Sequence, residues 1–394
     1  MSDDLTSKLI PSKPAPADLV VVGGGPAGLA TAIGARLAGL EVVVLDRARL
    51  MMDGSTGGAI DKACGEGLMP DAAEHLRALG VEIEPGHSFP LRGIRYVDGP
   101  VTAEGIFPRA TGLGVRRLAL HRALARRAED VGVRLQWGTA VKGLPPGPPY
   151  AGVETERGLV YTRWIVAADG LRSRLRREAG LDGKPAALRR FGVRRHYALA
   201  PWSDFVEVHW GPDCEAYVTP VAPEQIGIAL LWSGGPSDFD TLLAHFPILA
   251  ERVAGAPASS RDRGAGPLHQ TVRDVRRGNL ALVGDAAGYL DAITGEGLAV
   301  AFHEAAALVA ALCGGGLAGY SLACRRINRL PNFMTGLVLF LERHPRLRAR
   351  AVRALAAEPA LFSRLLGIHA RTMPPRGLGL DGALRLAWRL VSAY

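Results

Sequence analysis

The segment that most constrains the fold is a glycine-rich turn between an apolar strand and a helix near the start of the chain. Residues 19–22 are all apolar and predict a buried parallel strand. The strand runs into the pattern GxGxxG over residues 23–28, and a helical pattern follows. A second apolar strand over residues 42–45 ends on Asp46. Together these features predict a βαβ unit that binds a dinucleotide.

Each glycine of the pattern has a physical role. Gly23 permits a tight turn, Gly25 lets the backbone approach a pyrophosphate, and Gly28 lets the helix pack closely on the strand. The N-terminus of the helix offers free N–H groups and a partial positive charge to the phosphates. Asp46 is placed to accept hydrogen bonds from a ribose. The residues of this unit that are predicted to contact the dinucleotide are Gly23, Gly25, Pro26, Ala27, Gly28, Asp46 and Arg47.

The composition is that of a globular protein with a basic C-terminal region. The 394 residues are enough for two domains. The net charge of +9 is concentrated after residue 324, where thirteen arginines and three acidic residues give +10. The chain lacks a signal-peptide pattern and an apolar run of membrane-spanning length, so a cytoplasmic location is expected. Its four cysteines have no paired spacing, and no metal site is expected.

The element patterns predict an α/β fold with a discontinuous nucleotide-binding domain. Several strands between residues 191 and 232 follow one another without helices, which is typical of an antiparallel sheet. A single helix is predicted over residues 241–254. A loop rich in glycine, including residues 54–58, is expected to lie close to another group. The predicted ranges are 1–17 for a leader, 18–90, 112–185 and 270–320 for a Rossmann-like parallel-sheet domain, 91–111 and 186–269 for an antiparallel-sheet substrate domain, and 321–394 for a basic helical C-terminal region.

Two further segments complete a resemblance to a known family. Residues 168–174 contain Asp-Gly and residues 284–288 contain Gly-Asp, each directly after a buried apolar strand. With the first glycine pattern, they make the chain similar to the FAD-dependent aromatic hydroxylases, or class A flavoprotein monooxygenases, and to the related geranylgeranyl-reductase family. The resemblance implies bound FAD in a Rossmann-like domain, and NADH or NADPH as the electron donor.

The resemblance also implies further contacts with FAD. Arg117 matches an arginine near the FAD phosphates, with a solvated helix arginine as the alternative, and Lys62 lies where such folds place a basic residue beside the cofactor. A helix that begins near residue 294 would offer its N–H groups to the anionic reduced flavin. The cofactor-binding residues implied in this way are Lys62, Gly65, Arg117, Asp169, Gly170, Gly284, Asp285, Gly295 and Gly297.

Three residues are catalytic candidates. Cys64 and Glu66 belong to a Cys-Gly-Glu-Gly segment that the reductase family places beside the flavin, where they could donate a proton or shield the ring. The alternatives are a small buried thiol and a loop cap. Glu296 belongs to a Thr-Gly-Glu-Gly segment, and its alternative role is a carboxylate favoured by a helix start. The hydroxylase pattern has proline and asparagine where this chain has Ala292 and Ala299, so the reaction type is open.

The leading hypothesis for function is an NAD(P)H-dependent monooxygenase that acts through a flavin C4a-hydroperoxide on a hydrophobic or aromatic substrate. The alternative is a geranylgeranyl-reductase-like enzyme that reduces isoprenoid double bonds. A flavin-dependent halogenase ranks lower because the Trp-x-Trp-x-Ile-Pro signature is absent from the sequence. A scaffold without activity is disfavoured because the three cofactor segments are intact.

The substrate and the partners are less constrained. Aromatic residues on the predicted antiparallel sheet could line a substrate pocket or belong to the core: Tyr197, His209, Trp210, Tyr217 and Trp232. The substrate could also be carried on a larger protein. The C-terminal arginines accompany apolar residues at helical spacing, which favours helices that close the substrate cavity or make peripheral contact with an anionic membrane. No nucleic acid partner is expected, because no recognition motif accompanies the basic residues.

Overall fold

The computed structural model describes residues 17–49, 60–184 and 189–379, together with 381, 382, 384, 385 and 389. The predicted leader up to residue 16 and the glycine-rich segment 54–58 lie outside the described residues. In the part described, the strands are β1 (Ala17–Val22), β2 (Val42–Asp46), β3 (Gly67–Leu68), β4 (Ser88–Leu91), β5 (Gly93–Asp98), β6 (Val101–Ile106), β7 (Gly112–Val115), β8 (Arg134–Trp137), β9 (Val141–Gly143), β10 (Gly152–Thr155), β11 (Gly158–Ala167), β12 (Arg190–Tyr197), β13 (Phe205–Trp210), β14 (Cys214–Ala222), β15 (Gln225–Ser233), β16 (Arg263–Ala265), β17 (Arg276–Arg277) and β18 (Leu280–Leu282). The α-helices are α1 (Pro26–Leu37), α2 (Pro70–Ala78), α3 (Arg117–Asp130), α4 (Arg174–Glu178), α5 (Phe239–Leu243), α6 (Pro247–Val253), α7 (Gly297–Cys313), α8 (Tyr320–Arg343), α9 (Pro345–Ala357) and α10 (Pro359–His369), with short 3₁₀ turns at Gly284–Ala286 and Pro375–Leu378.

A mostly parallel sheet forms the first layer of the fold, as the sequence predicts. Its strand order is β17-β18-β11-β1-β2-β8, with β10 and β9 added beside β11. The central strand β1 is parallel to both β11 and β2, and its residues Leu19, Val20 and Val21 are fully buried. Because both faces of a parallel sheet are covered by helices, an apolar strand at its centre is expected. This places the glycine turn at the carboxyl edge of the sheet, where such folds bind ligands.

Helix α1 begins directly at the glycine turn. Gly25 is its N-cap and Pro26 is its first residue, a position where the missing N–H of proline costs nothing. No side chain caps this end, so its first N–H groups are directed outward and are available to a ligand. Residues between Pro26 and Ala35 pack against the core on the buried side of the helix.

A second sheet supplies the opposite wall of the molecule. Its strand order is β16-β12-β15-β14-β13-β5-β6, and all neighbouring pairs are antiparallel except β5 and β13, which are parallel. The hairpin β5–β6 therefore joins this sheet although it precedes the other strands by about a hundred residues in the chain. The domain ranges given above stay predictions.

One predicted helix is wrong in detail. Residues 241–254 form two helices, α5 and α6, instead of one. The break lies at Phe246, whose backbone is not helical, because Pro247 follows it and disfavours the helical conformation of the preceding residue. Asp238 caps the first of these helices by accepting a hydrogen bond from the N–H of Thr241 at 2.9 Å.

The C-terminal region is helical, with breaks at Pro345 and Pro359 as expected from the sequence. Pro331 lies inside α8 and is buried. Helices α9 and α10 pack against β6 of the second sheet, and α8 packs against α7. Among the described residues, no helix is long and apolar enough to cross a membrane.

Candidate active site

A cavity of about 2000 Å³ lies between the two sheets and the C-terminal helices. Most of the residues predicted to bind the cofactor or to act in catalysis line it: Gly23, Gly25, Pro26, Ala27, Asp46, Arg47, Lys62, Cys64, Gly65, Glu66, Arg117, Asp169, Gly170, Gly284, Asp285, Gly295 and Gly297. The exceptions are Gly28 and Glu296. The fold therefore brings together segments that are up to about 270 residues apart in the chain.

The three glycines of the turn differ in what surrounds them. A Cβ on Gly28 would lie 1.9 Å from the carbonyl oxygen of Gly23, and a Cβ on Gly23 would lie 2.4 Å from that of Ala168. Gly23 also has a φ of +110°, which favours glycine. A Cβ on Gly25, in contrast, would meet no atom within 4 Å, because this glycine faces the cavity. Gly23 and Gly28 thus serve packing, whereas Gly25 leaves room for a ligand to approach the backbone.

Asp46 is held in place at the end of β2. Its two carboxylate oxygens accept hydrogen bonds from the N–H groups of Gly24, at 2.6 Å, and Ala48, at 2.7 Å. The carbonyl oxygen of Gly24 lies 2.9 Å from Nε2 of the buried His121. Burial lowers the pKa of His121 to about 4, so the neutral ring donates this hydrogen bond at neutral pH. His121 on α3 therefore fixes the turn from behind.

The Asp-Gly segment contributes an acceptor to the cavity. Asp169 Oδ2 accepts a hydrogen bond from the N–H of Arg174 at 2.8 Å, which ties it to the start of α4. Among the described residues, Asp169 Oδ1 is buried and has no hydrogen-bond partner. The buried Nε of Arg117 also has none there. Because buried polar atoms are rarely left unpaired, an unpaired acceptor and donor on one cavity wall suit a bound dinucleotide with hydroxyl and phosphate groups.

The Gly-Asp segment lies against the first glycine turn. A Cβ on Gly284 would lie 2.7 Å from Cβ of Ala27, so the two segments are in close contact. The N–H of Gly284 donates to Oε2 of the buried Glu304 at 2.9 Å, and burial raises the pKa of Glu304 to about 7. The next residue, Asp285, forms an ion pair with Lys62. Two residues implied by the resemblance as FAD contacts are thus adjacent in the cavity wall.

The Cys-Gly-Glu-Gly loop is anchored to the second sheet by Glu66. This side chain is buried, and its Oε2 lies 2.5 Å from Nε2 of His196 on β12. Its Oε1 accepts a hydrogen bond at 2.8 Å from the backbone N–H of Arg117, at the start of α3. Thr219 on β14 donates to the carbonyl oxygen of Gly65 at 2.7 Å. These contacts agree with the loop-cap alternative for Glu66 and give it a positioning role.

Cys64 has no comparable anchor. It is half-buried in the cavity wall, and its sulfur accepts only a long contact, at 3.4 Å, from the N–H of Glu66. Its thiol is therefore the catalytic candidate of this loop that remains available to a bound molecule.

The Thr-Gly-Glu-Gly segment forms the start of α7 and brings in a residue that the sequence did not point to. Glu296 is the N-cap of this helix, and burial raises its pKa. Its Oε2 lies 3.5 Å from Nδ1 of His369. The ring of His369 lines the cavity, and its Nε2 lies 3.3 Å from the carbonyl oxygen of Thr294. His369 is at the end of α10, and no motif in the sequence links it to a segment 73 residues earlier.

The part of the cavity away from the glycine turn is apolar. Aliphatic and aromatic side chains from β4, the second sheet, the segment before α7 and α8 to α10 line it: Leu91, Ile94, Val206, Val208, Leu231, Ile293, Met334, Val338, Leu341, Leu355, Phe362, Leu365 and Leu366. Of the sheet aromatics proposed from the sequence, Tyr217 and Trp232 are in the lining, and Tyr197, His209 and Trp210 are not. The hydroxyl group of Tyr217 donates to the carbonyl oxygen of Ile293 at 2.6 Å.

A buried ionic cluster joins the second sheet to the segment before α7 and to the C-terminal helices. Arg190 on β12 contacts Glu215 at 2.7 Å, Asp291 at 3.0 Å and Glu342 of α8 at 3.2 Å. Burial raises the pKa of Glu215 to about 7. Because a buried arginine strongly constrains the carboxylates around it, this cluster fixes α8 relative to the sheet.

The comparisons with known proteins agree with this geometry. Residues 16–211 match a family model described as an FAD binding domain. The menaquinone reductase of Mycobacterium tuberculosis is 30% identical over 310 residues, which cover 72% of this chain and 73% of the relative. The chain belongs to this family of FAD-dependent oxidoreductases. The resemblance inferred from the three motifs is thereby confirmed, and so is FAD as the cofactor.

Two further comparisons concern a second reductase and a solved structure. Digeranylgeranylglycerophospholipid reductase 2 of Methanopyrus kandleri is 27% identical over 301 residues, with 71% of this chain and 73% of the relative covered. A solved structure of a flavoprotein/dehydrogenase from Cytophaga hutchinsonii has a TM-score of 0.78 at 17% identity, and the match covers 95% of this chain and 98% of that one. The structural likeness concerns the fold, which the sequence also predicted as α/β with a second sheet.

Proposed function

We propose that this FAD-dependent oxidoreductase is a reductase that saturates carbon–carbon double bonds of an isoprenoid chain. The observation that carries the proposal is the composition of the cavity. Its far half is lined by aliphatic and aromatic side chains from the second sheet and from α8 to α10. Its volume of about 2000 Å³ is larger than that of an ordinary ligand pocket, about 300–1,000 Å³. Such a space suits a long flexible hydrocarbon beside a cofactor.

The polar groups of that far half are few. Tyr217 uses its hydroxyl group on the backbone, and burial raises the pKa of Tyr96 to about 12, so this phenol stays neutral. A substrate without polar groups is favoured in such a site, because burying unpaired polar groups is costly. Two relatives named above are, by name, reductases of isoprenoid lipids, a menaquinone reductase and a digeranylgeranylglycerophospholipid reductase, and they support this class of substrate.

When FAD is bound, it supplies hydride chemistry, and the chain supplies position and a proton. Saturation of a double bond adds a hydride to one carbon and a proton to the other. We assign the proton to the ring of His369, which lines the cavity beside the start of α7 and whose Nε2 lies near the carbonyl oxygen of Thr294. Glu296, 3.5 Å from the other ring nitrogen, holds a proton more readily than an exposed carboxyl because burial raises its pKa. The pair can therefore keep a proton next to the substrate.

Product analysis tests the proposal. The purified holoenzyme, reduced with dithionite under anaerobic conditions, is incubated with an isoprenoid alcohol or an isoprenoid quinone. We expect two hydrogen atoms to be added to the isoprenoid chain, without any need for oxygen; for a quinone substrate the gain is measured on the side chain, because dithionite alone reduces the quinone ring. A product that appears only with oxygen and carries an added oxygen atom would instead support the monooxygenase hypothesis, which stays a prediction, as does NADH or NADPH as the donor.

A variant pair tests the role of His369. We expect His369→Gln to lower kcat by about a hundredfold, the usual contribution of a general acid, with FAD affinity unchanged. The pH profile of kcat should also lose its dependence on the protonated donor. The control is His344→Gln, because His344 is exposed just after α8. Its ring contacts Phe340, through Nδ1 to the carbonyl oxygen and through ring stacking. An unchanged kcat and profile in His369→Gln would remove this residue from the chemistry.

A further inference from the structure

One face of α8 exposes an unusual combination of side chains to solvent. We define the α8 surface as the exposed residues Leu322, Arg326, Arg329, Phe333, Leu337 and Phe340. They recur every three or four positions, so they lie along one side of the helix. Phe333 is 66% exposed and Phe340 is 48% exposed. Large apolar side chains clustered in this way on a solvent-exposed face mark an interaction site.

The α8 surface is continuous with the cavity. Phe333 and Leu337 are exposed to solvent and also line the cavity, together with Met334 and Val338 from the adjacent side of the helix. These residues therefore form a rim where the apolar half of the cavity reaches the outside. A hydrophobic molecule that enters at this rim would pass from the binding partner of the α8 surface into the cavity.

The exposed charged side chains of α8 and of the first turn of α9 are basic. Arg326 and Arg329 lie on it, and Arg325, Arg343 and Arg346 are exposed beside it. None of these five arginines is paired with a carboxylate among the described residues. The acidic residue of the helix, Glu342, is buried in the cluster with Arg190. The partner of this face is therefore anionic at its periphery and apolar at its centre.

We propose that the α8 surface docks on the face of an anionic lipid bilayer, so that an isoprenoid lipid passes directly from the membrane into the cavity. A bilayer supplies both features, with phosphates for the arginines and acyl chains for Phe333, Leu337 and Phe340. A second copy of the chain fits less well, because a twofold contact through this face would bring its arginines against their own symmetry mates. This inference rests on the proposed function. Because lipid binding is measured without turnover, a failure of membrane docking can be distinguished from a failure of the proposed reductase activity.

Vesicle co-sedimentation of the full-length holoenzyme tests the proposal. One set of vesicles contains phosphatidylcholine alone, and the other contains phosphatidylcholine with phosphatidylglycerol. We expect binding to the anionic set only, and its loss at high salt. Each basic side chain near such a surface contributes roughly fivefold to binding. The variant Arg326→Gln/Arg329→Gln/Phe340→Ser should therefore bind at least about tenfold more weakly, and none of its three positions lines the cavity.

A matched control carries the same changes elsewhere. Arg77→Gln/Arg122→Gln/Ile248→Ser also removes two exposed arginines and one exposed apolar side chain, on the helices α2, α3 and α6, and we expect wild-type vesicle binding. A soluble short-chain isoprenoid should be reduced equally by all three proteins. Equal vesicle binding by both variants, or none by the wild type at low salt, would overturn the proposal. A wild-type dimer that only the α8 variant abolishes would also overturn it. A complex with an acidic carrier protein, formed in place of lipid binding and abolished only by the α8 variant, would do the same.

Discussion

Glu66 on the Cys-Gly-Glu-Gly loop and His196 on the second sheet meet at 2.5 Å, and both side chains are buried. This contact links the second sheet to the start of α3, because Glu66 also accepts a hydrogen bond from the N–H of Arg117. Arg194 is buried beside the pair, with its Nε 4.0 Å from Glu66 Oε1. The loop that carries Cys64 is therefore held by the side chain of Glu66, together with backbone contacts such as the hydrogen bond from the N–H of Val115 to the carbonyl oxygen of Glu66 at 2.9 Å.

We expect Glu66→Ala to cost about 1–3 kcal/mol of unfolding free energy or more, because it leaves the buried ring of His196 and the backbone N–H of Arg117 without their acceptor. Glu66→Gln should cost less, since its side-chain oxygen can still accept one of the two hydrogen bonds. Urea unfolding measures both. Glu41→Gln is the control, because Glu41 pairs with Arg36 on the surface and exposed pairs contribute about 0–1 kcal/mol. A loss in Glu66→Ala no larger than in the control would contradict the anchoring role.

Gly25 and Gly28 should respond differently to alanine. Gly25→Ala places its Cβ in the open cavity, so we expect a normally folded protein with FAD affinity weakened by about tenfold, or 1.4 kcal/mol. Gly28→Ala places its Cβ 1.9 Å from a backbone oxygen, so we expect a loss of about 3 kcal/mol or more in stability. Flavin fluorescence titration and thermal unfolding separate the two effects. A destabilised Gly25→Ala with unchanged affinity would refute this division of roles.

His121 should make stability depend on pH. Burial lowers its pKa from 6.5 to about 4 in the folded protein, so the unfolded chain binds the proton more tightly. Stability is therefore retained above pH 6.5 and lost as the pH falls towards 4, by about 3 kcal/mol in all. The buried Glu304, whose pKa is raised to about 7, acts in the opposite direction.

The difference between wild type and His121→Gln isolates this effect, because Glu304 is common to both. Glutamine can still donate to the carbonyl oxygen of Gly24, but it does not titrate. We expect the stability advantage of the wild type to shrink from pH 7 to pH 4.5 in denaturant unfolding. His87→Gln is the control, because His87 is exposed on the surface. An advantage independent of pH would show that His121 is not buried in its neutral form.

The apolar half of the cavity should accept long chains only while it stays open. Ala351 on α9 lines it, so Ala351→Trp should lower kcat/KM at least about tenfold for a long isoprenoid, through lost space and strain of about 1–3 kcal/mol. A short substrate and FAD binding should be much less affected. Ala357→Trp, at an exposed position of the same helix, is the control. Equal losses of kcat/KM for long and short substrates would show that the isoprenoid chain of the substrate does not bind beside Ala351.

The sequence allowed the cofactor side of the site to be predicted much better than the substrate side. Gly23, Gly25, Asp169 and Asp285 belong to short motifs whose geometry is set locally by a strand and the turn after it. The residues that complete the site have no such local signal. His196 is 130 residues from Glu66, and His369 meets Glu296 only because α10 packs back on the fold.

Local rules also failed at one helix. The apolar spacing over residues 241–254 is continuous, but Pro247 ends one helix and starts another. The steric restriction that proline imposes on Phe246 outweighs the hydrophobic periodicity. Conversely, Pro331 is accommodated inside α8, where the packing of the helix against the rest of the protein compensates for the lost hydrogen bond.

The most direct test of the proposed function is an anaerobic single turnover. The holoenzyme is reduced stoichiometrically with dithionite, mixed without oxygen with an isoprenoid quinone or alcohol in detergent, and followed by flavin absorbance. We expect the oxidised flavin spectrum to return as one double bond is saturated per enzyme, and both events to slow together in His369→Gln. A flavin that stays reduced with every isoprenoid until oxygen is admitted would contradict the account.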